Sequence, residues 1–114
     1  MITIHGIKNC DTMQKAFKWL DANKVPYNFY DYKTTPPTEG IVKEWLTQIP
    51  IEILVNTHST TYKNLSDSQK ADVLKPPKCF GIIQENPSIL KRPILDIDGK
   101  YIVGFDGEKW RKEL

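Results

Sequence analysis

The chain has 114 residues, enough for one hydrophobic core and too few for two independent ones. Apolar residues make up 39% and charged residues of both signs 26%, a balance that excludes intrinsic disorder. Sixteen lysines and arginines against fourteen acids leave a formal charge of +2, too weak a field to imply a nucleic-acid partner.

The first residues, MITIHGIKNC, have no charged region followed by a long apolar run. Nowhere do about eighteen apolar residues follow one another as a membrane span needs. A cytoplasmic protein with no membrane association is therefore expected. Ile2 and Ile4 alternate with Thr3 and His5, the period of a strand that Gly6 then breaks. Met13, Ala16, Phe17 and Leu20 then recur at helical spacing, and Asp11 with Gln14 has the spacing of a capping box, which predicts a helix over about residues 12 to 23. Val25, Tyr27, Phe29 and Asp31 share one side of a second strand, with Asn28, Tyr30 and Tyr32 on the other. Two strands joined by a helix cross over as a parallel, right-handed pair, which puts the first strand-to-helix turn, and Cys10 in it, at the carboxyl edge of a sheet.

Pro36 and Pro37 open a helical stripe of Ile41, Val42, Trp45, Leu46 and Ile49, closed by Pro50. Ser66 and Gln69 have the spacing of another capping box, and Pro76-Pro77 separates that segment from a helical KCFGIIQEN. Ile94, Leu95 and Ile97, then Asp98-Gly99, then Tyr101, Ile102 and Val103 predict a hairpin. In the charged tail, Trp110 is expected to dock a last helix on the sheet, with KWRKE as its solvated face. The order strand, helix, strand, helical insert, hairpin, helix is that of an α/β thioredoxin-like fold carrying an inserted helical region. It is read as a single domain, 1–114, with a core of about 1–33 and 88–114 and an insert of about 34–87.

Cys10 and Cys79 have no C-x-x-C partner, and His5 and His58 complete no metal-ligand spacing, so no metal site is expected. A thiol reacts as its thiolate, which helix N-termini and nearby cations favour. Lys8 and Lys15 flank Cys10, while Asp11 opposes ionisation unless it turns away to cap the helix. Position alone leaves two readings of Cys10, a reactive thiol or a small buried hydrophobe. Cys79, within CFGIIQ, reads as core. Arg92 precedes Pro93 at the start of a strand, and a fixed guanidinium there binds an oxyanion or stabilises a thiolate.

GIKNCDTMQKA, NPSILKRPIL and YIVGF together make the chain resemble the ArsC/Spx family, most closely its YffB-like branch, over essentially its whole length. The resemblance implies a thioredoxin-like fold with Pro93 in a cis peptide beside the active-site loop. It also implies Cys10 as nucleophile and Arg92 as its catalytic partner. Arsenate reductases of the family carry a histidine where this chain has Gly6, and further arginines where it has Asn56 and Phe105; one arginine instead of three loses the strong bidentate contacts of an oxyanion site. Spx regulators bind RNA polymerase and often sense oxidants through a CxxC pair, which Met13 here interrupts. The YffB-like branch implies a glutathione-dependent thiol reductase in which Cys10 forms a mixed disulfide that an external thiol resolves. No bound cofactor is implied, and glutathione is the co-substrate. In that reading Lys8, Lys15 and Arg92 hold its carboxylates, Asn9 and Thr12 belong to the substrate site with Thr12 donating its hydroxyl to the thiolate, and Pro93 presents main-chain groups. RNA polymerase binding and arsenate reduction are the alternatives.

Overall fold

The computed structural model describes all of residues 1–114. The chain divides into two compact units, residues 1–31 with 92–114, and residues 32–91. No helix is long and apolar enough to cross a membrane.

The first unit is built on a four-stranded sheet in the order β2-β1-β3-β4. Strand β1 (Ile2–Gly6) pairs parallel with β2 (Tyr27–Asp31) and antiparallel with β3 (Ile94–Ile97), and β3 turns into β4 (Lys100–Val103). Asp98 and Gly99 both take positive φ, 50° and 95°, as a two-residue hairpin turn between right-twisted strands requires. Helix α1 (Asp11–Ala22) joins β1 to β2. Its helical stripe of Met13, Ala16 and Leu20 packs with Ile4, Leu95 and Ile102 from one face of the sheet. The α1 stop is set by Lys24, in the left-handed region at φ 55°, with Asn23 returning a side-chain bond to Trp19 O at 2.8 Å.

The same face receives α7 (Gly107–Glu113), capped by Asp106, whose carboxylate accepts from the N–H groups of Glu108 and Lys109. Trp110 is fully buried in this core, with Trp19 and Phe105 edge-on to it and its indole N–H donating to Gly104 O at 3.2 Å. Gly107 is small because of this packing: a Cβ there would sit 3.0 Å from Trp19 Nε1.

The second unit is helical: α2 (Glu39–Leu46), α3 (Ile51–Leu54), α4 (Thr60–Lys63), α5 (Asp67–Asp72) and α6 (Cys79–Glu85), followed by a 3-10 turn at Pro87–Ile89. Thr38 caps α2, and Ser66 with Gln69 forms both arms of a capping box on α5. Of the stripe expected on α2, Val42, Trp45 and, beyond the helix end, Ile49 are buried, Leu46 is half-buried, and Ile41 in the first turn is exposed. The unit begins at Tyr32 and ends at Lys91, and the Tyr32 hydroxyl donates to Lys91 O, joining its two chain ends.

Trp110→Ala is expected to cost about 3 to 5 kcal/mol by combining lost burial with a cavity, whereas the exposed Lys109→Ala should stay within about 0.5 kcal/mol. Urea unfolding of the two variants beside the native chain measures both; near-equal midpoints would show that Trp110 is not central to this core.

Candidate functional site

The sheet register builds the site. His5 pairs with Ile94 across the antiparallel β1–β3 ladder. The chain leaving β1 toward Cys10 and the chain entering β3 from Arg92 therefore run side by side beyond the end of the sheet. Arg92 Nε donates to Cys10 Sγ at 3.5 Å, and the Arg92-Pro93 peptide is cis. Pro93 is buried, and its carbonyl accepts from Gly104 N–H at 2.8 Å.

Cys10 is half-buried and is itself the residue that caps α1. The neutral thiol makes no conventional capping bond, but a sulfur anion there faces the open N–H groups of the first turn. Burial pushes the thiol pKa up; against it act the Arg92 Nε–H donor, the main-chain N–H groups of Met13 and Thr12, and the guanidinium charge, and together they hold it below the ordinary thiol value. The sign is decided by hydrogen bonding to the charged form.

Several sequence expectations change here. Asp11 does not cap the helix; it is the first helical residue, because Cys10 takes the cap position with extended backbone angles. Gln14 does not reach back to Asp11 either. Its side-chain amide donates to Lys8 O at 2.7 Å while its own N–H donates to Cys10 O at 2.9 Å, so one residue holds the thiol loop at two points. Thr12 acts on the sulfur through its main-chain N–H and not its hydroxyl. The cation on the thiol is Arg92, whereas Lys8 and Lys15, with Asn9, are exposed and are not among the groups that shift it. Sequence reasoning missed Gln14 as a loop tether and Met13 as a donor, since both act through bonds that side-chain type does not advertise.

Gly6 closes β1 where any side chain would collide with buried Met13: a Cβ would lie 2.4 Å from its sulfur. Phe105 packs edge-on against Trp110 at 4.9 Å. Both positions are thus given to packing rather than to cations or imidazole. Cys79 is fully buried in α6; burial raises its pKa, its own N–H lowers it and Glu39 raises it, with the net upward. Both cysteines are free thiols.

A four-stranded mixed sheet with a thiol at the N-terminus of its first helix, beside a cis-proline loop, defines the class: a thioredoxin-like fold bearing a thiol site. The chain belongs to the ArsC family, whose model matches residues 5–113. It is 38% identical over 111 residues to an uncharacterised protein of Haemophilus influenzae, covering 97% of this chain and 96% of that one. It is 30% identical to the global transcriptional regulator Spx of Staphylococcus epidermidis, covering 100% of this chain and 87% of the regulator. Among solved structures, a YffB protein superposes with a TM-score of 0.92 at 36% identity, covering 98% of this chain and 97% of that one. An arsenate reductase (ArsC) related protein of Brucella melitensis superposes at 0.75 and 36% identity, covering 97% and 92%.

Because Arg92 lowers the thiol pKa, Arg92→Gln is expected to move the midpoint of Cys10 alkylation upward. Alkylation should then slow several-fold at pH 7 and recover above the new midpoint. Iodoacetamide rates across pH, followed by mass spectrometry, check this; an unmoved midpoint would remove Arg92 from the site.

Proposed function

We propose that the protein is a glutathione-dependent thiol/disulfide reductase working through the single nucleophile Cys10. The observation that carries this is the Arg92 Nε to Cys10 Sγ contact on a thiol that also faces the first-turn N–H groups of α1. The Cys10 thiolate attacks one sulfur of a substrate disulfide, forming a Cys10 mixed disulfide and expelling the other half as a thiolate. A glutathione thiolate attacks the substrate sulfur of that mixed disulfide, and Cys10 departs as the stabilised thiolate, a good leaving group. A second glutathione releases the substrate thiol and leaves glutathione disulfide. Two glutathiones are oxidised for one disulfide reduced.

Met13 stands where a resolving cysteine would have to lie in a CxxC pair, and it is buried, so the second thiol comes from outside. In this reading Lys8 and Lys15, both exposed and flanking Cys10 in the chain, supply the cations for the carboxylates of the substrate and of glutathione. Pro93, buried in its cis peptide with its carbonyl engaged by Gly104 N–H, shapes the loop beside the sulfur in this reading. The catalytic pair is Cys10 and Arg92, with Lys8, Asn9, Thr12, Lys15 and Pro93 around the substrate.

A second reading rests on the similarity to Spx along the whole of this chain: a regulator that binds RNA polymerase. Arsenate reduction is the weaker third reading, because Gly6 and Phe105 are committed to packing.

Cys10→Ser is expected to abolish mixed-disulfide formation with glutathione disulfide, and Cys79→Ser to leave it intact; intact mass after incubation reads both. Equal labelling of the two variants would sink the assignment. A polymerase complex captured equally well by native and Cys10→Ser protein, with no thiol reactivity, would favour the regulator.

A further inference from the structure

Next to the thiol loop lies an open groove of about 350 Å³, lined by Lys8, Gln14, Phe17, Tyr27 and Phe29. Its floor is aromatic. Phe17 stacks on Tyr27 with ring centres 5.8 Å apart and meets Phe29 edge-on at 5.0 Å. All three rings are half-buried: one side packs on the core beneath α1, and the other faces the groove. β2, which supplies Tyr27 and Phe29, is an edge strand, so its outer main-chain groups have no strand partner.

The rim belongs to the thiol loop. Lys8 lies two residues before Cys10, and Gln14, which donates to both Lys8 O and Cys10 O, forms the adjoining wall. The Lys8 side chain is exposed and forms no ion pair. An apolar floor continuous with a reactive loop and ending in an unpaired cation selects for an apolar side chain with a carboxylate beside it. Glutathione has no such side chain, so the groove is not explained by the co-substrate.

We infer that this groove recognises the disulfide substrate, and that the substrate is a peptide or protein segment carrying an aromatic or large apolar residue and an acidic residue next to its cysteine. The proposal rests on the thiol reductase reading and gives its substrate class. The aromatic side chain enters over Phe17, Tyr27 and Phe29, the carboxylate meets Lys8, and the neighbouring cysteine sulfur is presented to Cys10.

The test uses a blocked peptide with cysteine, phenylalanine and glutamate in that order, as its symmetric disulfide, beside the same peptide with alanine replacing phenylalanine. With Cys79→Ser protein, the phenylalanine peptide is expected to form the Cys10 mixed disulfide about tenfold faster, the scale set by burying part of one aromatic side chain. Lys8→Gln should slow the phenylalanine peptide. In parallel, unreactive Cys10→Ser protein is titrated with the serine-for-cysteine peptides, and ring resonances of Phe17, Tyr27 and Phe29 should shift with the phenylalanine peptide alone. Equal rates for both peptides with unmoved ring resonances overturn the groove proposal, while glutathione disulfide still reacting leaves the thiol reading standing. If no disulfide modifies Cys10 the thiol reading falls, and the ring shifts then decide whether the groove binds such segments.

Discussion

Cys10 and Arg92 are 82 residues apart in the chain, and the antiparallel pairing of β1 with β3 brings them to 3.5 Å. Everything else at the site depends on that register. Because side chains alternate along a strand, a slip of one residue would move Ile4 and Leu95 out of the core as it moved Arg92 away from the sulfur. The core therefore protects the geometry of the site: the buried apolar faces that stabilise the sheet also fix the distance between the thiol and its cation. The helix dipole and the guanidinium reach the same sulfur from two elements whose relative position burial has set.

The space around that pair is finished by packing. The end of the Met13 side chain occupies the space over Gly6 and packs the first turn of α1 close to the sheet. Phe105 joins Trp19 and Trp110 in an aromatic cluster under α7. A site made this way stabilises one negative sulfur and is poorly equipped for a multiply charged oxyanion, which needs several fixed donors. Under the proposed function the chemistry is exchange between sulfurs, where the charge to be stabilised is a single thiolate that both attacks and departs.

The elements were legible where one local signal decided them. The alternation of β1, the stripe of α1, the Ser66–Gln69 box and the Asp98-Gly99 turn appear where the sequence puts them. The start of α1 was less legible, since Asp11 and Gln14 match a cap by spacing alone. The real cap residue, Cys10, is chosen by the chain's path out of β1, and Gln14 is drawn to Lys8 O, a group that only the folded loop presents. Residue type identified Cys10 and Arg92, but which cation reaches the sulfur is a matter of register, and proximity in sequence pointed wrongly to Lys8 and Lys15. The aromatic groove was invisible for a related reason: Phe17 and Phe29 read as core residues, and half of each ring is.

Cys79 has a consequence of a different kind. Its thiol is fully covered in α6 and its pKa is raised, whereas Cys10 is half-open with its pKa lowered. The two sulfurs of the native protein thus differ in both access and ionisation. A thiol reagent in excess counts one sulfur quickly, and the second only as fast as the helices around α6 open. The molecule carries its own clock for that opening: the delay between first and second sulfur reports the local stability of residues 32–91, with no label added and no activity required.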